Sequence, residues 1–157
     1  MLLRLCLSFA LPGAALLGSP ALAAQNDPCP VRSEVSRLEV PRFVSLKSDE
    51  VRGRRGPSTN HPVRWVYRRA GLPVKVVNEA ADWREIEDPA GDRVWVHTSL
   101  LTGARTVMTL RETALRTRPH EEAAEEARVE RGAILSLRSC RDGWCRVSAQ
   151  GYRGFVT

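Results

Sequence analysis

The chain has 157 residues, 24 Lys and Arg against 18 Asp and Glu, and a formal charge of +6. That length holds one ordinary domain or two very small ones and excludes a large catalytic α/β fold. With 43% hydrophobic and 27% charged residues, the bulk is globular rather than disordered or collagenous.

Residues 1–24 carry one basic residue, Arg4, then an apolar run from Leu5 to Leu17, then Pro20 and Ala21-Leu22-Ala23-Ala24. A short positive start, an apolar centre and an A-x-A exit predict a cleaved secretory signal. An uncleaved anchor is the alternative. Pro12, Gly13 and the short apolar core count against it, because a span needs about 20 apolar residues. No later segment is apolar enough to cross a bilayer, so the expected mature chain has no transmembrane span and resides in the periplasm or is secreted. Residues 25–41, with Pro28, Pro30 and Pro41 and no clean period, are expected to form a flexible leader.

The remainder repeats itself. Ala70-Gly71-Leu72-Pro73-Val74 corresponds to Arg131-Gly132-Ala133-Ile134-Leu135, and Trp83-Arg84-Glu85-Ile86 to Trp144-Cys145-Arg146-Val147, both at an offset of 61. Gly91 to Val96 matches Gly151 to Val156 at 60, and Arg54-Arg55-Gly56-Pro57 matches Arg116-Thr117-Arg118-Pro119 at 62. Four blocks in one order with near-constant spacing mean two copies of one small unit: residues 42–104, and residues 105–157 as a C-terminally short second copy. Each copy reads as β. Leu72, Val74 and Val76 alternate with Pro73, Lys75 and Val77, the period of a half-buried strand. Val94-Trp95-Val96 and Phe155-Val156 are short β-branched and aromatic runs after glycine turns. The segment from Pro119 to Ala127, rich in Glu, aligns with a proline-containing stretch of copy one and reads as an acidic loop, with a helical turn as the alternative. The fold class is therefore all-β, two tandem small barrels after a signal peptide.

Cys140-Arg141-Asp142-Gly143-Trp144-Cys145 carries the sharpest geometric inference. Asp-Gly favours a two-residue type I′ hairpin, whose central residues both need positive φ. Arg141 then faces Trp144, and Cys140 faces Cys145 in the closer, non-hydrogen-bonded kind of pair, about 4.5 Å between Cα atoms. A disulfide fits there and persists in an exported protein. The loop it closes is tiny, so its value is register more than unfolded-state entropy. A redox-active pair would need a different spacing and a following helix start. Copy one places Glu79 and Arg84 at the same two positions, an opposite-charge pair worth about 0.2–1 kcal/mol. Cys29 is left over, as a free thiol or an intermolecular bridge.

Val51-Arg52-Gly53-Arg54-Arg55-Gly56-Pro57, a Gly-led strand at Gly71, the hairpin ending in Trp83-Arg84-Glu85-Ile86, and the run from Gly91 through Trp95-Val96 to Leu101 together resemble a bacterial SH3 (Src-homology-3-like) domain. Copy two resembles it less fully, with Arg118 before Pro119 and Phe155 in place of the closing Trp. The whole resembles small exported tandem-SH3 proteins of Gram-negative bacteria, over about residues 42–157. The resemblance implies two small barrels that serve as binding modules; in related proteins they accompany cell-wall hydrolases. It also implies a short 3₁₀ turn and a last strand after Trp95. Copy two stops before any such strand, so its edge is open to the leader, to copy one or to a strand from another chain.

Chemistry for an enzyme is missing. His61, His97 and His120 stand alone without zinc-ligand spacing, and there is no Gly-x-Ser-x-Gly elbow. The sequence thus predicts no catalytic residues, no metal and no cofactor. The candidate ligand-binding residues are aromatics on hairpins and loops, Trp65, Tyr67, Trp83, Trp144 and Tyr152, which can stack on sugars or peptides. With them stand Arg52, Arg54 and Arg55, from a stretch over 51–78 that holds seven basic residues and no acid. Trp95 and Phe155 read as core or rim packing. The implied partners are peptidoglycan or an envelope protein, with an anionic envelope polymer as a further ligand class and no nucleic acid in an exported protein. The implied function is a non-enzymatic exported binding module, or alternatively an adaptor that binds a specific periplasmic protein by strand addition at the open edge of copy two. Oligomeric state has no signature in the sequence. Thiol counting under denaturing conditions, on the chain lacking residues 1–24, is expected to find one reactive thiol; three would refute the Cys140–Cys145 bond.

Overall fold

Alternating apolar residues set the strands, and glycine-led turns set their ends. The structure, a computed structural model, describes residues 29–157. The signal expected over residues 1–24 lies outside the described residues, as does the first part of the leader. The described residues form strands and one 3₁₀ turn, with no α-helix, which is the all-β class read from the sequence.

Strands β1 (Val31–Arg32) and β2 (Glu39–Val40) pair with each other. The first large sheet contains β3 (Arg42–Leu46), β4 (Val51–Arg54), β5 (Val63–Tyr67), β6 (Pro73–Ala80), β7 (Trp83–Glu87), β8 (Arg93–His97) and β9 (Leu101–Thr102). Their spatial order is β5-β4-β8-β7-β6-β3-β9, and the 3₁₀ turn Thr98–Leu100 precedes β9. The second contains β10 (Thr106–Met108), β11 (Thr113–Arg116), β12 (Glu125–Val129), β13 (Ile134–Arg141), β14 (Trp144–Ala149) and β15 (Tyr152–Val156), ordered β10-β13-β14-β15-β11-β12. The second order is the first without β9. The acidic stretch ends earlier than the sequence suggests, because Glu125 to Ala127 already pair with β11.

Each sheet wraps its own core, one around Val51, Val74, Val76, Ile86, Val94 and Val96 and a smaller one around Leu115, Leu135, Val147 and Val156. Where β4 crosses β8, a Cβ on Gly53 would lie 2.5 Å from Val94 Cγ2. The equivalent crossing in copy two reverses the sizes: Leu115 lies on β11, and a Cβ on Gly154 of β15 would fall 2.8 Å from Leu115 Cγ. One large and one absent side chain fill the same space in both copies. Protein interiors are packed closely enough that two large side chains do not fit there.

The long hairpins keep the expected register. Asp142 and Gly143 have φ of 50° and 79°, Arg141 pairs with Trp144, and Cys140 pairs with Cys145. The disulfide is formed, with the two Cα atoms 4.0 Å apart. In copy one Glu79 pairs with Arg84, and Arg84 Nε lies 3.0 Å from Glu79 Oε1.

That glutamate does more than the sequence suggested, and within the expected leader it holds a two-stranded hairpin that the sequence did not predict. Glu79 accepts hydrogen bonds from Ser33 Oγ at 2.5 Å, the Ser36 amide at 3.2 Å and Arg42 Nη2 at 2.5 Å. Its side chain is only 1% exposed. The β1–β2 hairpin is thus fastened to the tip of β6–β7 by one buried carboxylate. Burial by itself would raise the Glu79 pKa, but the hydrogen bonds from Ser33, Ser36 and Arg42, with the Arg42 charge, outweigh it and hold the carboxyl at about 2.

The copies also touch. Thr106 Oγ1 donates to the Gly71 carbonyl at 2.7 Å and sits 2.6 Å from Oγ of the buried Ser45. Arg69 Nη2 donates to the Gly132 carbonyl at 2.7 Å, and Met108 and Ile134 pack against the first core. No strand among the described residues takes the place of β9 beside β10.

Glu79 is lowered from 4.5 to about 2 by folding, so its contribution to stability is fully present above about pH 4.5 and is lost as pH falls toward 2. The loss amounts to roughly 3 kcal/mol. Urea denaturation at a series of pH values, with hydrogen exchange at the Ser36 amide, is expected to show a drop over that window that Glu79→Gln flattens. For the core crossing, Gly53→Ala is expected to cost about 1–3 kcal/mol. Combined with Val94→Ala it should cost less than the two single changes added together, since the two sites share one space.

Candidate binding grooves

Trp83 lies at the start of β7, one residue past the turn after Ala80, and alternation points it to the side opposite Ile86. It faces His97 across the β7–β8 ladder. The two rings meet edge to face with centroids 5.4 Å apart, a geometry worth about 0.5–1.5 kcal/mol beyond burial. The His97 ring is fixed in turn, 2.8 Å from Ser99 Oγ through Nδ1. Trp83 and His97 form one wall of a groove of about 350 Å³, completed by Glu50, Arg52, Arg54, Thr59 and Leu100. Three residues singled out in the sequence, Arg52, Arg54 and Trp83, therefore come together here.

The two arginines differ in what they are free to do. Arg54 Nη1 donates to the Thr59 carbonyl at 2.9 Å and to the His61 carbonyl at 2.7 Å, so it braces the loop between β4 and β5. Gly56 is buried under the His61 ring, where a Cβ would lie 2.5 Å away. Arg52 is exposed and, among the described residues, its guanidinium pairs with Glu50 alone, at 3.2 Å. A solvent-facing pair of that kind contributes little to stability, which leaves the Arg52 guanidinium available to an anionic ligand.

Copy two builds the same groove from equivalent positions. Trp144, Arg116, Ala114 and Thr157 stand where Trp83, Arg54, Arg52 and His97 stand in copy one, with Glu121, Glu122 and Thr113 completing a space of about 410 Å³. Arg116 Nη1 donates to the Ala123 carbonyl at 2.8 Å, the counterpart of the Arg54–His61 brace. The ring and the brace are kept, while the free arginine and the histidine are gone and two glutamates line the wall. The basic stretch of copy one and the acidic stretch of copy two thus give one groove two opposite electrostatic characters.

The other candidates lie elsewhere. Tyr67 packs on the first core, and its hydroxyl donates to Asp88 Oδ2 at 3.1 Å. Burial, and next the Asp88 charge and hydrogen bond, push the phenol well above its ordinary pKa. Trp65 is 46% exposed on the edge strand β5, opposite Gly53. Arg55 is exposed in the loop between β4 and β5. Tyr152 stands at the mouth of a different cavity, about 760 Å³, that also reaches Leu115, Val129, Leu135, Ala149 and Arg69. That cavity sits where Val129 and Ala149 replace the Tyr67–Asp88 pair of copy one. Sequence reasoning did not name His97 or Thr59 as groove residues; the signal was available for His97, which faces Trp83 once the hairpin register is written out.

A family model described as a bacterial SH3 domain matches residues 47–103 and again 111–157. Among curated proteins none matches. Two solved structures, NlpC2 and NlpC1 of Trichomonas vaginalis, are similar at 13% identity and a TM-score of 0.32, covering 73% and 76% of this chain. The matched part is 45% of each of those chains, so this chain spans under half their length. Among the described residues no group of His, Cys, Asp and Glu is placed to hold a metal ion, and no helix is long and apolar enough to cross a membrane.

Proposed function

The chain belongs to the bacterial SH3 domain family, whose members are generally cell-wall or envelope binding modules, and on that premise we propose that it is an exported, non-enzymatic module that binds peptidoglycan or another envelope component. The observation that carries this reading is the groove of Trp83, His97, Arg52 and Arg54. An aromatic wall presents an apolar face for a sugar ring or a peptide backbone. The exposed Arg52 beside it offers a planar fork that matches a carboxylate in two parallel hydrogen bonds. Glycan strands bearing acidic peptides supply both features at once. Export is supported by the N-terminal composition and by the Cys140–Cys145 disulfide, a bond that persists in oxidising compartments.

Pulldown of the protein on purified cell-wall sacculi tests the reading. Retention is expected to fall with rising salt and to drop several-fold in Trp83→Ala and in Arg52→Gln. Arg55→Gln, outside the groove, should be retained as the unaltered protein is. Absence of retention, together with a discrete exported protein bound instead, would replace this reading with the adaptor that binds by strand addition.

A further inference from the structure

On the second module, Arg138 of β13, Arg146 of β14 and Arg153 of β15 line one concavity of about 330 Å³, together with Ser139, Val147 and Ser148. No acidic residue lines it. Pairing explains how three separate strands each place an exposed arginine along one concavity. The ladder pairs Leu137 with Val147 and then Ser139 with Arg146, so Arg138 is the extra residue of a β-bulge. A bulge sets two residues against one and re-aims the side chain it adds. Ser148 pairs with Arg153, which makes Arg146 and Arg153 diagonal neighbours on adjacent strands, about 7–8 Å apart at the backbone and within reach of long side chains.

The first module shows what the same face looks like when its charges are balanced. At the equivalent positions stand Val77, Glu85 and Arg93, with Glu87 in place of Ser148. There Glu87 takes hydrogen bonds from Arg93 Nε and Nη2 at 2.9 and 2.8 Å and an ion pair from Lys75 at 3.5 Å. The Arg93 hydrogen bonds, against the cost of burial, hold the Glu87 carboxyl below its usual range. The second module replaces both acids, Glu85 by Arg146 and Glu87 by Ser148, and adds Arg138. Among the described residues no carboxylate lines this cavity to take the place of Glu85 and Glu87.

We propose that this concavity is a binding site for a phosphate group, held by Arg138, Arg146 and Arg153 with the hydroxyls of Ser139 and Ser148. A carboxylate is planar and is satisfied by one guanidinium fork. Three forks and two hydroxyls arriving from three strands supply more donors than that and match the several acceptor oxygens of a tetrahedral oxyanion. The site shares no residue with the Trp83 and Trp144 grooves and does not rest on the reading given to them. The phosphate group can belong to a lipid headgroup or to a soluble or polymer-borne phosphate.

The test is an NMR titration of the whole protein with inorganic phosphate, exchanged for chloride at fixed pH and ionic strength, read at the arginine Nε–H groups and at backbone amides. Saturable shifts are expected at Arg138, Arg146 and Arg153 and at Ser139 and Ser148. Arg146→Gln should weaken binding by about tenfold or more, whereas Trp83→Ala leaves it unchanged. The variant R138Q/R146Q/R153Q should lose binding and keep the native amide spectrum, since it removes only exposed charges; the single R146Q change serves if the triple variant does not fold. A second arm measures retention on phosphatidylcholine vesicles with and without phosphatidylglycerol. Retention that needs phosphatidylglycerol and the three arginines assigns the site to a lipid headgroup. Saturable binding of inorganic phosphate without such retention assigns it to a soluble or polymer-borne group. Shifts no larger than at Arg55 and Arg68, or binding that survives loss of all three arginines, would overturn the proposal, as would the absence of binding in both arms.

Discussion

The register of one long hairpin per module decides what every face of this protein presents. A strand that slips by one residue turns its buried side chains outward and its outer ones inward. In β6–β7 and β13–β14 the register is pinned twice, by a bulge at Val77 or Arg138 and by a cross-strand clamp two pairs from the bulge. The clamp is ionic in one copy, Glu79 with Arg84, and covalent in the other, Cys140 with Cys145. With it in place, Ile86 and Val147 are buried, and Trp83 and Trp144 take up the same wall of equivalent grooves.

The two chemistries have different consequences. A disulfide satisfies itself and leaves nothing to bind. A carboxylate has acceptor capacity beyond one partner, and copy one uses it to fasten the β1–β2 hairpin through Ser33 and Ser36 while also pairing with Arg42 of β3. The carboxylate that clamps the first module's hairpin therefore also holds residues 31–40 against that module. The clamp also leaves Cys29 as the free, exposed cysteine among the described residues.

Duplication kept the frame and let the surfaces diverge. Gly53 against Val94 became Leu115 against Gly154 with the same space filled. The Tyr67–Asp88 pair became Val129 and Ala149, and the smaller side chains leave a cavity in their place. The aromatic groove kept its ring and its arginine brace while its charge reversed, and the outer face of β13–β15 lost the acids that balance copy one. Frame positions are constrained by close packing from several sides, whereas outward positions on a strand answer only to solvent and to ligands. The copies lean on each other where Thr106 meets Gly71 and Ser45, at the side of copy two where β9 has no counterpart.

The sequence by itself determined the duplicated unit, its all-β class, the hairpin register and the disulfide, because each follows from short-range signals: a fixed offset, a two-residue period and an Asp-Gly turn. It also supplied the right residue types for the groove, Trp83 with Arg52 and Arg54. It did not separate Arg54, which braces a loop, from Arg52, which is free, nor did it tell Tyr67 in the core from Trp65 on an edge. Those distinctions depend on which strand crosses which, and β4 meets β8 only after the sheet closes on itself. Only the tertiary structure decided that residues 31–40 form a hairpin, since the contact that holds it joins Ser33 to Glu79 across 46 positions and leaves no local period to read. The same holds for Arg138, Arg146 and Arg153, which lie on three strands and converge through a bulge and a diagonal pairing, geometry that exists only once the strands are side by side.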